Sequence, residues 1–295
     1  MGSLLQPSNF LLLFLLLCMM VIYFLTKGVE KGEDNFFLNH VHVHDDDQHM
    51  HAHTSSSSSS SSHMELSWNI FFHKDDLKLG KKIPLYFPIK NSSFTPHMIS
   101  KQESNSIPFS STQLNKILEF FSFPKDSPQA KAIQHTLTHC ELPPLKGETK
   151  FCATSLESML DNLRQIFGLG VNFEVLTTTP MKNLIPNLQN YTILEVPKEI
   201  IATKMVGCHP VPYPYAVYYC HGQVSDNKLF VVSLEGQDDG QRVEAVAICH
   251  MDTSQWDPHH VSFRVLGFEP GAAPVCHVFP RDNLVWVLSS PSSAT

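Results

Sequence analysis

"VGCHPVPYPYAVYYCHGQ", Val206 to Gln223, contains two Cys-His dipeptides, Cys208-His209 and Cys220-His221. The same dipeptide returns at Cys249-His250 and Cys276-His277. "YAVYYCH" is rich in aromatic and β-branched residues, the composition of a strand. Successive side chains on a strand point to opposite faces of its sheet. A Cys-His dipeptide on a strand therefore sends its sulfur one way and its imidazole the other.

The rest of the chain beyond Gly170 repeats the strand character. "FEVLTTT", "YTILEVP", "KLFVVSL", "RVEAVAICH", "VSFRVLG" and "NLVWVLS" are short and punctuated by Gly, Pro, Asn and Asp. No long helical crossover lies between them, which predicts antiparallel pairing. Upstream, "MELSWNIFF" and "IPLYFPI" read as strands around a turn-like "HKDDLKLGKK", and the folded part begins near Trp68. Three helical segments follow. "SSTQLNKILEFFSF" places Leu114, Ile117, Leu118 and Phe121 on one face. "DSPQAKAIQHTLTHC" offers Ser127 as N-cap and Pro128 at the first helical position. "TSLESMLDNLRQIFGLG" carries a Thr154/Glu157 capping box, an apolar face of Leu156, Met159, Leu160, Leu163 and Phe167, and Gly168 as a stop. The prediction is one α+β domain over residues 67–290, with helices in its N-terminal half and a β-rich, mostly antiparallel C-terminal half.

The chain is 295 residues long, 42% hydrophobic and 17% charged, with a formal net charge of -7. A core is affordable at that composition, and the charge argues against a general nucleic-acid binder, which carries a basic face. Phe10 to Leu25 is 16 apolar residues without a charge, which predicts a signal peptide or signal anchor over residues 1–27. Either sends the chain into the secretory pathway, with the membrane touched only through that segment. Residues 28–66 hold seven His between His40 and His63 and a serine run; such a stretch cannot build a core and reads as a disordered linker. Outside the apolar segment, which holds Cys18, six cysteines remain: Cys140, Cys152, Cys208, Cys220, Cys249 and Cys276. In an oxidising compartment they suggest disulfides, whose pairing the sequence leaves open. "NSS" at Asn91 and "NYT" at Asn190 are glycosylation acceptors.

Oxidised cysteines are not thiolate ligands. What the dipeptides then offer is a set of neutral imidazoles, His209, His221, His250 and His277, of the kind that suits copper, zinc, iron and nickel. The usual spacing of a structural zinc site is missing. The bland alternative, disulfides with incidental histidine neighbours, is hard to sustain over four dipeptides.

The intervals between the pairs are 10, 27 and 25 residues. This pattern resembles the signature of the plant BURP domain, CH-x10-CH-x25-27-CH-x25-26-CH. "FFHKDDLKLGKKIPLYFP", "SIPFSSTQL", "CELPPLKGETKFCATSLESM", "CHMDTSQW" and "VCHVFPRDNLVWV" resemble further blocks of that domain, and the order of signal segment, variable linker and C-terminal domain is similar too.

The resemblance implies one of two functions. Some members are copper-dependent peptide cyclases that oxidatively join a Tyr or Trp side chain to a carbon of a ribosomally made peptide. Such a link removes two hydrogens and so requires an electron acceptor, for which copper with dioxygen is suited and redox-inert zinc is not. No Tyr- or Trp-bearing repeats precede the domain here, so the expectation is a stand-alone cyclase acting on a separate precursor peptide. The other implied function is a non-catalytic secreted protein of cell wall, seed or stress response, apoplastic or vacuolar. On the cyclase reading, His209, His221, His250 and His277 are the carried-over copper ligands, on one copper or two. Cys140 with Cys152 is one candidate disulfide and the four motif cysteines would supply two more; a motif cysteine as copper ligand is the competing reading. Asp252 shares a strand face with His250 and is a candidate to orient its imidazole, against the plainer reading of a strand-end turn carboxylate. Tyr213, Tyr215, Tyr218 and Tyr219 are expected to pack as strand aromatics, and His135 and His139 lie outside the signature.

Overall fold

The computed structural model describes residues 70–87, 96–180, 188–223 and 226–288. The apolar N-terminal segment, the His/Ser-rich linker, Trp68 and Asn91 lie outside the described residues.

Thirteen strands form two antiparallel sheets among the described residues. The larger contains β1 (Phe71–His73), β2 (Lys82–Tyr86), β6 (Leu188–Ile193), β10 (Asn227–Gly236), β11 (Arg242–His250) and β12 (Val275–Val278), in the order β1-β12-β11-β10-β6-β2. Two short strands join it, β5 (Thr179–Pro180) on β11 and β7 (Lys198–Ile200) on β10. The smaller runs β3 (Glu148–Ala153), β9 (Val217–Gln223), β8 (Met205–Val211), β13 (Leu284–Leu288), β4 (Phe173–Leu176). The described residues also hold five α-helices: α1 (Lys101–Ser104), α2 (Leu114–Phe120), α3 (Pro128–Glu141), α4 (Leu156–Phe167) and α5 (Val261–Leu266). The expected α+β architecture holds.

Period-two alternation decides which face each strand buries. On β11, Val243, Ala245, Ala247 and Cys249 enter a core with Phe230, Val232 and Leu234 of β10. Val246 and Ile248 face the other way and pack with Val285 and Val287 of β13, so this second layer lies between the two sheets. The smaller sheet buries its far face, including Val206, Cys208, Cys220 and Trp286, under Met159, Leu163 and Phe167 of α4. Helices α2 and α3 pack with Tyr213, Tyr215 and Val217 in a further core.

The α3 start is as read: Ser127 Oγ accepts from Ala130 N–H, with Pro128 in the first turn. At α4 the cap sits one residue later than expected. Ser155, not Thr154, is the N-cap, and Ser158, not Glu157, returns the hydrogen bond. Leu156, expected on the apolar face, is exposed at the first helical position. Gly168 ends the helix at φ 115°. "VSFRVLG" is a helix rather than a strand: His260 caps its N-terminus and Gly267 closes it in the left-handed conformation, and these end signals outweigh the β-branched composition. Strand β3, between two helices, was not among the expected strands.

All six domain cysteines are paired, as Cys140–Cys152, Cys208–Cys220 and Cys249–Cys276. The first ties α3 to β3. The other two link residues directly opposite in register, on β8/β9 and on β11/β12.

Candidate functional site

Each cross-strand disulfide fixes two Cys-His dipeptides side by side, with sulfur on one face and imidazole on the other. Cys208–Cys220 lies in the α4 core and Cys249–Cys276 in the outer core of the large sheet. The sulfurs therefore point outward from the molecule's middle layer, and the two pairs of imidazoles face the layer between the sheets, closest to each other at His209 and His277. Ring centroids are 5.4 Å apart for His209 and His221, 5.6 Å for His250 and His277, and 6.4 Å for His209 and His277. Phe279 joins the pairs: it is 2% exposed, stacks on His209 at 5.4 Å and lies 4.9 Å from His277.

The four rings share one hydrogen-bonding feature. Nδ1 of His209 meets Asn283 Oδ1 at 2.7 Å, and Nδ1 of His250 meets Asn227 Oδ1 at 2.9 Å. Nδ1 of His221 meets Glu148 Oε1 at 3.2 Å, and Nδ1 of His277 meets the Val278 carbonyl at 3.2 Å. Oxygen acceptors place the proton on Nδ1, so in each neutral ring Nε2 carries the lone pair, the arrangement of a histidine oriented for a metal. His260 is the counterexample. Its Nδ1 accepts from Ser262 N–H as a helix cap, which puts its proton on Nε2 in the neutral form. It lies instead in an aromatic group with Phe71, Trp256 and Phe263, and Trp256 in turn stands edge-on to His250 at 4.9 Å.

Burial, helped by the neighbouring His277, His221 and His260 rings, holds the His250 imidazole well below the ordinary histidine range. It is therefore neutral at pH 7, the form that binds metal. Burial likewise lowers His260 to about 4. It also lowers His139 to about 4, with Lys150, His135 and His221 adding to the effect. Burial pushes the Glu148 carboxyl up, but hydrogen bonds from His221 and Leu145 and the charges of His221 and Lys150 outweigh it, so it sits below the usual carboxylate range.

Among the described residues, no three His, Cys, Asp or Glu side chains converge as a formed metal cluster. The spacings are nonetheless compatible with ligation within each pair. Two imidazoles bound to one ion at about 2 Å per bond have centroids about 5 Å apart, close to the separations within each pair. The 6.4 Å gap between pairs is the one that would have to narrow for a single shared ion. Gly207, directly opposite His221, leaves room here: a Cβ on it would lie 3.3 Å from the Phe279 ring and 3.6 Å from His209 Nε2. Donor set, tautomers and space fit a metal held by imidazoles.

Other expected residues fall elsewhere. Asp252 is exposed and accepts from Ser254 N–H in a local turn, while Asn227 occupies the orienting position at His250. Tyr213 and Tyr215 are buried in the helix-side core, where burial raises both phenols and holds Tyr215 at about 12. Tyr219 is the exception, its ring 5.2 Å from His221 and 4.3 Å from His139. Asn190 is exposed on β6. No described helix is long and apolar enough to cross a membrane. Sequence reasoning missed Asn227, Asn283, Glu148 and Phe279. The signal for the first three is strand register: Asn227 is directly opposite His250, Asn283 follows on from the Leu284–Cys208 pair beside His209, and Glu148 is two residues along β3 from Lys150, the partner of His221.

The family profile described as the BURP domain matches residues 70–288. The chain is 49% identical over 222 residues to "BURP domain protein USPL1" of Arabidopsis thaliana, covering 74% of this chain and 79% of that protein. "BURP domain-containing protein BNM2A" of Brassica napus gives the same identity and coverage. "Protein RAFTIN 1A" of Triticum aestivum is 36% identical over 217 residues, 74% of this chain and 55% of that protein. None of these names states a reaction.

Proposed function

This chain belongs to the plant BURP-domain family, and from that premise we propose that it is a secretory-pathway, copper-dependent oxidase that macrocyclises a separate precursor peptide. The observation that carries this reading is the tautomer pattern: four imidazoles from four dipeptides, each with Nδ1 given to an oxygen. Copper, when bound, would supply one-electron redox chemistry with dioxygen as the terminal acceptor. In the overall reaction a Tyr or Trp side chain of the precursor loses one hydrogen and a carbon of the same peptide loses another. The new bond joins the two positions, and two electrons and two protons pass to dioxygen.

The protein's own groups would serve that reaction by holding His209, His221, His250 and His277 in position. Asn283, Asn227, Glu148 and the Val278 carbonyl fix ring orientation. Phe279 and Phe71 pack against His277, with ring centroids 4.9 and 5.8 Å away. Low dielectric keeps His250 neutral and available.

A second reading is a non-catalytic secreted BURP protein, in which the two imidazole pairs, 6.4 Å apart at His209 and His277, share no ion. Both answer to one experiment. Purified protein is incubated in air with copper and candidate Tyr- or Trp-bearing precursors from the same tissue, and products are followed by mass spectrometry. Copper-dependent loss of two hydrogens per crosslink is expected. No loss with any precursor, from protein that has taken up copper, sinks the cyclase reading in favour of the second.

A further inference from the structure

The four Nδ1 acceptors are not equivalent. His209 and His250 face neutral carboxamides and His277 faces a backbone carbonyl, whereas His221 faces the Glu148 carboxylate. The Glu148 side chain is 9% exposed. The oxygen that meets His221 also accepts the Tyr219 hydroxyl at 3.4 Å, and the other oxygen accepts Leu145 N–H at 2.8 Å. Glu148 is thus held by two groups besides His221, the Tyr219 hydroxyl on the same strand as His221 and the Leu145 N–H in the turn before β3, and its charge is delivered to one ring of the four. Lys150, two residues along β3, lies over the Tyr219 ring at 5.4 Å and donates to the His139 carbonyl.

A carboxylate accepting from Nδ1–H draws on that proton more strongly than a neutral amide does, which makes Nε2 the better electron donor. Resting on the metal reading above, we propose that Glu148 is a positioning residue that fixes His221 in the Nδ1–H tautomer and makes it the most donating of the four imidazoles, biasing copper held there toward Cu(II). The repeated dipeptide therefore encodes an electronically unequal set, with the β8/β9 pair richer in electron density than the β11/β12 pair. The inequality comes from a residue outside the four dipeptides.

The full chain carries the test, with ¹⁵N-labelled histidine and the variants Glu148→Gln, Glu148→Ala and His221→Gln, the last assigning the His221 signals. In metal-free protein, wild-type His221 is expected to be protonated on Nδ1. Glu148→Gln keeps an oxygen acceptor and the tautomer, and Glu148→Ala releases it to a mixture. With copper, Glu148→Gln is expected to raise the ratio of Cu(I) to Cu(II) affinity about 10-fold and to change the Cu(II) electron paramagnetic resonance signal, with the melting temperature of metal-free protein unchanged. A purely structural Glu148 would leave ratio and signal as in wild type, and that result overturns the proposal. So does wild-type His221 protonated on Nε2. If wild-type protein takes up no copper, the cyclase reading falls, and the metal-free tautomers still decide the role of Glu148. If Glu148→Ala does not fold, the wild-type and Glu148→Gln spectra suffice.

Discussion

The β8/β9 and β11/β12 strand pairs are built to the same plan and placed in different surroundings. Each has two cysteines opposite in register with Cα atoms 4.0 Å apart, and each sends two imidazoles to the other face. The β8/β9 pair closes over a short connection and is held by Glu148 and Asn283. The β11/β12 pair spans a longer connection containing α5, buries His250 and surrounds it with Trp256 and His277. The difference teaches that the Cys-His dipeptide sets where an imidazole points, while the acceptor that fixes its tautomer comes from elsewhere in the chain for His209, His221 and His250 and from the adjacent Val278 carbonyl for His277.

Phe279 is the test of whether the two pairs act together. It packs on a ring from each pair and within the apolar layer between the sheets. Phe279→Ala is expected to cost about 3–5 kcal/mol in chemical denaturation and to lower copper uptake at both pairs. Uptake equal to wild type in a folded variant would mean that the pairs bind independently.

The disulfides separate the plan from the surroundings. Removing one by paired Cys→Ala substitution releases loops of 12 residues at Cys208–Cys220 and 27 at Cys249–Cys276. Chain entropy alone predicts a loss of about 3 kcal/mol for the first and about 0.7 kcal/mol more for the second. Equilibrium unfolding of the two variants would measure this. A markedly larger gap would assign extra stability to the packing around His250.

Acid should weaken the molecule through its buried histidines. Below about pH 6.5 the unfolded chain takes up protons that the folded rings refuse. Stability is therefore complete above that pH and falls as pH drops toward the folded value, about 4 for His260. His250 shifts in the same direction. Between pH 6.5 and pH 5 this window precedes carboxylate protonation, and His260 alone accounts for about 2 kcal/mol across it. Denaturation curves of metal-free protein at the two pH values check the sign. Equal stability at both would mean that these rings titrate freely in the folded state.

The sequence revealed the plan more fully than the surroundings. Alternation placed the sulfurs of Cys208, Cys220, Cys249 and Cys276 opposite their imidazoles because the strand period is a local property. The Ser127-Pro128 helix start was legible for the same reason. "VSFRVLG" was misread because its Val and Phe content spoke for a strand while His260 and Gly267 at its ends decided otherwise. Asn283, Asn227 and Glu148 were not legible, since their partners lie 74, 23 and 73 residues away in the chain. Only strand register brings them together, and register depends on the whole sheet.

The smallest expected effects bear directly on that contrast between local spacing and register. Asn283→Ala removes a 2% exposed side chain that meets His209 and also donates to the Pro280 and Arg281 carbonyls. It should cost about 1–3 kcal/mol and lower copper affinity about 10–100-fold. Asn227→Ala, at a half-buried position, should show the same direction at the low end of those ranges. Asp252→Ala should leave copper affinity unchanged within error, because its carboxylate serves the Ser254 N–H and not His250. Isothermal titration of the three variants ranks them. The order Asn283, Asn227, Asp252 follows if cross-strand neighbours orient the rings. If Asp252→Ala weakened binding as much as Asn227→Ala, the two-residue spacing in the chain would be the stronger determinant, and the account of His250 through its register partner would have to be given up.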